Sequence, residues 1–342
     1  MPFINPFDTT PGFGLAEMTQ SMNILPNLYG RVNQIGLFAP EGISQITAII
    51  DIKEGVMNLL PSVPRGGPAT VGNKDTRSMR AFVVPHIPHN DVITPDDLQG
   101  IRQFGTMDQT VSLASLMAER QQRMRDKHGQ TLEFMRINAL KGVLKDGAGA
   151  TVYNWFTEFD VQEKSVDFVL GTAGTNVGEK CREVVRWIKK NLNGETMSGV
   201  HALVSPTFWD KFIKHSSVKE AYTYFANLRG GQPLREDVRT GFEFHGITFE
   251  EYDATFTLSD GSTTEDAFAA GEGRAFPLGT RETFKTFFAP ANWMETVNTR
   301  GLETYARQVT RLDGSGIDLL TQSNPLPIVR RPKLIVKIHT SN

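Results

Sequence analysis

GTAGTNVGEK, from Gly171 to Lys180, is the stretch that comes nearest to a phosphate cradle. A phosphate loop needs Gly-x-x-x-x-Gly-Lys-Ser/Thr, so that backbone N–H groups and one lysine converge on the phosphates. Here Gly178 is followed by Glu179, which puts a carboxylate where the lysine belongs. A dinucleotide turn needs Gly-x-Gly-x-x-Gly directly after a strand, and that spacing is absent too. The glycines read as a hinge.

The other chemistry-bearing residues are equally scattered. The histidines are His86, His89, His128, His201, His215, His245 and His339. His86 and His89 flank Pro88 on an extended segment, where positions i and i+3 point to opposite faces, so they make a poor zinc pair. No His-Glu-x-x-His occurs, and no Gly-x-Ser-x-Gly; Gly314-Ser315-Gly316 reads as a turn. Asp96-Asp97 and Glu250-Glu251 are adjacent in sequence, one at a helix start and one in a hairpin, which is not the layout of an acid–base dyad. Cys181 is the single cysteine, so a disulfide within the chain and a cysteine metal cage are excluded. Between Lys180 and Arg182 it reads as a small buried hydrophobe on a helix. The expectation is a protein that is not an enzyme, with no cofactor and no metal.

The elements around these residues say more. The 342 residues are enough for a large core in two compact parts, at 39% hydrophobic and 22% charged. Twenty-two phenylalanines against six tyrosines leave much apolar surface to hide. Net charge is −2, unlike a freely diffusing nucleic-acid binder, which is usually strongly basic. No run approaches the ~20 apolar residues of a membrane span. MPFINPFDTT lacks the basic and apolar regions of a secretion signal.

Residues 1–50 mix prolines and glycines with Phe3, Ile4, Phe7, Phe13, Ile24 and Leu25. Apolar but interrupted, the segment reads as an arm lying across something else. QITAIIDIKEGVMNLLPSV and AFVVPHIPH read as two strands around a polar, basic tip, the signature of a long hairpin. The tip carries Arg65, Lys74, Arg77 and Arg80 against Asp75. Ile93 onward opens a short helix with Thr94 as N-cap and Pro95 in the first turn. Met107 to about Lys145 reads as one long helix, with Gly129 as the point where it would bend or break, on the order of 50 Å at ~1.5 Å per residue. VYNWFTEFDVQ and SVDFVLG read as two strands. EKCREVVRWIKKNL is an amphipathic helix, HALVS a buried strand, and Ser205-Pro206 the cap of the helix PTFWDKFIKHS. VKEAYTYFANL reads as a further helix, and GFEFHGITFEEYDA as a hairpin turning at His245-Gly246. The final run LLTQSNPLPIVRRPKLIVKI reads as two apolar strands with a proline-marked corner at Pro325 and Pro327.

An arm, a projecting hairpin and a long helix make sense only if partners cover them. At this point the chain resembles the lambda-type major capsid proteins of tailed bacteriophages (family E). SPTFWDKFIKHSSVKEAY, FHGITFEEYDA, RAFPLGTRETFKTFFAPANWMETVNTRGLETYAR and IDLLTQSNPLPIV carry the resemblance, with GGPAT…DTRSMRAFVVPHIPHNDVITPDDLQ fitting more loosely. Their order along the chain is what persuades.

The resemblance implies an α+β protein with the tailed-phage capsid fold of the Hong Kong 97 type, shared with encapsulins. It implies an N-terminal arm (1–50), an extended β-hairpin loop (51–92), a peripheral domain with a long spine helix (93–175), an inserted axial domain (176–300), and returning strands of the peripheral domain (301–342). Both terminal strands are expected in the peripheral sheet. The implied role is a virion shell of hexamers and pentamers around double-stranded DNA, assembled in the host cytoplasm. The implied partners are further copies, scaffold, portal and decoration proteins, weak sequence-blind contact with DNA, and no membrane. Arg65, Lys74, Arg77 and Arg80 are the expected subunit-interface residues. An encapsulin-like shell around cargo enzymes, or an enzyme with its catalytic domain at 176–300, are the alternatives.

Overall fold

The computed structural model describes residues 30–54, 76–97, 113–219, 221 and 241–342. A five-residue helix, α1 (Arg31–Ile35), ends on Gly36, whose φ of 66° is the left-handed stop that glycine adopts without cost. Strand β1 (Ala39–Gly42) follows, then β2 (Thr47–Glu54), β3 (Thr76–Val83) and β4 (Ile87–Ile93). β2 and β3 pair antiparallel from Thr47 opposite Val83 to Glu54 opposite Thr76, so the base of the expected long hairpin is a ladder of eight residues a side. Beyond β4 the short helix at Pro95–Asp97 is a 3₁₀ turn. Thr94 accepts from Asp97 N–H through its carbonyl at 3.1 Å, and its hydroxyl oxygen is not the cap. Its N–H and its hydroxyl both donate to Asp97 Oδ2, at 2.8 and 2.9 Å.

The long helix α2 spans Leu113–Leu140, about 42 Å at ~1.5 Å per residue. Gly129 lies inside it without interrupting it. Residues 132–140 are buried on every side, whereas the first half has an exposed face. The expected extension to Lys145 is corrected: Val143–Lys145 is strand β5, paired with β6 (Thr151–Asn154). Gly142 makes the break, with φ 84° and the Phe156 ring 2.0 Å from where a Cβ would stand. VYNWFTEFDVQ is likewise not one strand. Asn154 Oδ1 accepts from the N–H groups of Phe156 and Thr157, starting the one-turn helix α3 (Trp155–Glu158). A capping side chain thus overrides a run of strand-forming residues.

From there helix and strand alternate: β7 (Lys164–Asp167), α4 (Val177–Asn191), β8 (Gly199–Val204), α5 (Pro206–Lys214), β9 (Phe242–Phe244) and β10 (Ile247–Glu251). Asn176 and Ser205 cap α4 and α5 through the N–H groups of Glu179 and Phe208. His245 and Gly246 turn the β9–β10 hairpin, both at positive φ (48° and 82°), as a type I′ turn requires. The helix expected over VKEAYTYFANL falls mostly outside the described residues. The chain closes with β11 (Thr255–Thr257), β12 (Thr264–Asp266), β13 (Glu272–Leu278), β14 (Phe284–Phe288), β15 (Tyr305–Thr310), β16 (Ile317–Ser323), β17 (Pro325–Val329) and β18 (Val336–His339).

Three sheets organise the two bodies. A mixed six-stranded sheet runs β7-β18-β13-β8-β10-β9. Helices α4 and α5 pack on it, burying Cys181, Val184, Ile188, Phe208 and Phe212 with Phe249, Val336 and Ile338. The second body is built on α2: Phe134, Ile137 and Leu140 join Phe82, Trp155, Phe284, Leu326 and Ile328 under the sheet β1-β14-β17. The sheet β15-β16-β4 lies against the first half of α2 through Met117, Met124, Leu319 and Ile93.

The two terminal strands do not share a sheet, which corrects the expectation that both complete one beside α2. The first, from Leu319, lies in β16, which pairs with β15 and β4 along the first half of α2, while the second, β18, lies inside the six-stranded sheet between β7 and β13. Pro325 and Pro327 are not a corner either. They lie within β17, which among the described residues has a strand neighbour on one side alone, the position where a missing N–H costs no ladder bond. Likewise β7 enters the six-stranded sheet from before residue 176, and β14 leaves the 176–300 stretch for the body of α2.

Candidate assembly surfaces

The β2–β3 ladder has two apolar faces. Ala48, Ile50 and Phe82 point inward and are buried. The Phe82 ring meets Tyr153 and Trp155 edge-on at 5.3 and 5.5 Å. The Tyr153 hydroxyl accepts from Val83 N–H at 2.9 Å and donates to Val83 C=O at 3.0 Å, tying the stem to β6. On the other face, Ile49 (58% exposed), Met79 (68%) and Val83 (60%) are open to water, with Ile46 (69%) beside them. A cleft of about 280 Å³ between Ile43, Gln45, Ile49 and Arg300 continues this face. Covering each such side chain would contribute at most about 1.5–3 kcal/mol. Association of two proteins costs roughly 4–15 kcal/mol, so one such patch is marginal by itself and several must engage together.

Further exposed apolar residues escaped sequence reasoning. Met294 (90% exposed), Val297 and Leu302 cluster on the loop between β14 and β15, and Leu312 stands at the tip of the β15–β16 hairpin. No periodicity marks them, because they lie on connections. The only signal for the stem was that TAII and RSMRAFV place apolar residues at both odd and even positions.

Of the expected interface residues, Arg65 and Lys74 lie outside the described residues. Arg77 is in β3 opposite Lys53, and Arg80, three positions on, is opposite Ile50. The Arg80 guanidinium lies 5.6 Å over the Phe159 ring, a contact with its own chain.

Around α1, buried charges lock three elements together. Glu133 of α2 accepts from the N–H groups of Val32 (2.8 Å) and Asn33 (3.1 Å) and from the Tyr252 hydroxyl (3.1 Å). Burial pushes its carboxyl above the usual range against those hydrogen bonds. Arg136, one turn on, donates to Thr286 Oγ1 at 3.1 Å and to Asn33 Oδ1, and lies over the Phe38 ring. From α1, Arg31 donates to Glu250 of β10, which also meets His201 Nε2 at 3.1 Å. Burial alone would raise the Glu250 carboxyl, but the hydrogen bonds from His201 and Arg31 hold it below its ordinary value.

Nucleophile chemistry finds no support in this arrangement. Cys181 is buried, and burial pushes its thiol up to about 12, the reverse of activation. His86 meets Asn324 at 2.8 Å. Asp97 is spent on Thr94. Among the described residues no group of three or more His, Cys, Asp or Glu is placed to hold a metal ion, and no helix is long and apolar enough to cross a membrane.

Comparison with known proteins agrees with this geometry. The profile of the family described as phage major capsid protein E matches residues 14–340. The major capsid protein of Pseudomonas phage KPP10 is 33% identical over 340 residues, covering 95% of this chain and 96% of the relative. That of Salmonella phage Felix O1 is 28% identical over 355 residues, with 95% and 96% covered. Among solved structures, the mature capsid of bacteriophage PhiM1 superposes with a TM-score of 0.51 at 15% identity, covering 93% of this chain and 89% of the other. The capsid of cyanophage P-SCSP1u gives 0.51 at 12% identity, with 90% and 87% covered. At such identities the likeness shows the fold, which is the α+β tailed-phage capsid fold of the Hong Kong 97 type.

Proposed function

This chain belongs to the phage major capsid protein E family, and from that premise we propose that its copies assemble as hexamers and pentamers into an icosahedral shell around double-stranded DNA. It is a structural capsid protein of a tailed phage, not an enzyme. The observation that carries the assembly reading is the β2–β3 stem: one face is anchored in the core through Phe82, and the other presents Ile49, Met79 and Val83 to solvent. A solitary subunit gains nothing from that face. A neighbour laid against it does.

In the same reading residues 1–50 are an arm and 51–92 a projecting loop. The peripheral body is built on α2 and takes in β14, and the axial body on the rest of 176–300 with β7 and β18 added. Arg65 and Lys74, with Arg77 and Arg80 at the loop's base, would choose register with acidic residues of a neighbour more than supply strength, since exposed pairs contribute about 1 kcal/mol or less. Scaffold, portal and decoration proteins are the further partners proposed, with synthesis in the host cytoplasm and the finished shell in the virion. Curated relatives named as phage capsid proteins favour a genome container over an encapsulin-like one.

Negative-stain microscopy of the recombinant chain tests the reading. Closed particles of uniform size are expected. A folded preparation that stays as single subunits at every concentration and salt would overturn it.

A further inference from the structure

Helix α4 is charged out of proportion to its chain. Val177–Asn191 carries five lysines and arginines against two glutamates, in a protein whose net charge is −2. The helix buries Val177, Cys181, Val184 and Ile188, which turns Arg182, Arg186, Lys189 and Lys190 outward, all exposed. Its acidic residues are used locally. Glu183 holds Lys164 Nζ at 2.8 Å, and Glu179 sits in the first turn, where the helix dipole favours an anion. Among the described residues the four outward cations make no ion pair.

Helix stability accounts for part of this stripe. Lys189 and Lys190 lie in the last turn, where cations complement the dipole. Arg182 and Arg186 do not. They are like charges at i and i+4 in mid-helix, a spacing that destabilises. Neither arginine makes an ion pair among the described residues, which leaves the pair open to an external partner.

A phosphate backbone is the partner whose chemistry fits. Duplex DNA presents a phosphate every ~3.4 Å along each strand, and side chains one helical turn apart, ~5.4 Å, can follow such a row. Recognition of bases is not built in. Trp187, the one aromatic on the helix, is engaged by its own chain: its Nε1 donates to Lys333 C=O at 2.9 Å, and Lys164 lies over its ring. Single strands are usually held on free aromatic platforms, so a duplex, bound without regard to sequence, is the better match.

We propose that the Arg182–Arg186–Lys189–Lys190 face of α4 lines the inside of the shell and contacts the phosphates of packaged duplex DNA. The inference rests on the capsid reading above. It assigns a side of the wall as well as a ligand: α4 faces inward.

The test uses a 30-bp duplex and unassembled full-length subunits, with binding followed by anisotropy across salt. The double variant Arg182→Ala/Arg186→Ala should weaken binding at least tenfold at 50 mM salt and reduce the slope of log K against log salt by about 2, since each phosphate contact contributes ~0.9. Arg281→Ala, an exposed arginine elsewhere, should change neither. The double variant should still form particles, and Lys189 and Lys190 should acetylate more slowly in full particles than in emptied ones. An unchanged slope, or equal acetylation in full and empty particles, overturns the proposal. So does a folded double variant that forms no particles, which would place the stripe at an acidic protein surface while leaving the capsid reading intact. A wild-type chain that forms no shell under any condition overturns both.

Discussion

The Glu133 carboxylate of the long helix accepts the backbone N–H of Val32 at 2.8 Å, a hundred and one residues back along the chain. Its second oxygen takes the N–H of Asn33, so a side chain buried in the core caps α1. Glu133→Ala strands two N–H donors, each of which costs roughly 1–3 kcal/mol when left unsatisfied. The variant is expected to lose about 3 kcal/mol in urea unfolding of unassembled subunits. Gly30→Ala should be comparably damaging for a different reason: φ is 107°, and a Cβ would lie 2.3 Å from Glu133 Oε2. Unchanged midpoints in both would refute the capping role.

The two faces of the hairpin stem should respond oppositely. Phe82→Ala removes a ring packed on Tyr153 and Trp155 and should cost about 3–5 kcal/mol of subunit stability. Ile49→Asp and Met79→Asp alter exposed positions and should leave subunit stability within about 0.5 kcal/mol. Yet these two should abolish or sharply reduce particles seen by sedimentation. If they assemble normally, this face is not a contact.

What the sequence made legible was whatever local chemistry decides. The spacing of Cys181, Val184 and Ile188, the Ser205-Pro206 cap and the His245-Gly246 turn each act within a few residues, and each is realised. Failures came where distant partners decide. Val143–Lys145 continues a helical composition but is taken by β6, and the two expected terminal strands, β16 and β18, join different sheets. The proposed contact surface is the least legible part. Exposure of Met294 or Val83 is a property of the finished surface, and an apolar residue in a strand reads the same whether it faces core or water.

Charge reversal at Arg65 and Lys74 tests the proposed register contacts. Arg65→Glu with Lys74→Glu should impair shell closure, giving open sheets or small oligomers in micrographs, with the unfolding curve of the subunit unchanged. Because exposed pairs contribute about 1 kcal/mol or less each, the defect should ease as protein concentration rises. Normal particle yield from this double variant would remove these residues from the interface.

Acid should weaken the subunit through His128. It is buried on α2, and its Nε2 lies 2.9 Å from Thr321 Oγ1. That hydroxyl donates to His89 C=O at 2.8 Å, so the imidazole supplies the proton of the His128–Thr321 bond. Burial, with His89 and Lys127 adding repulsion, brings its pKa down to about 4 from 6.5. A base whose folded value is depressed contributes stability that is present above 6.5 and lost as pH falls from 6.5 towards 4, where the unfolded chain binds the proton first. The full loss is of order 3 kcal/mol. Glu133 runs the other way: its raised carboxyl contributes most at low pH and loses that contribution as pH rises through its folded value. The two are separable, because His128→Gln keeps a donor for Thr321 without a titrating group. Urea midpoints of unassembled subunits between pH 7 and pH 4 should fall less steeply for His128→Gln than for the wild-type chain. Parallel curves would show that the imidazole is not what acid attacks.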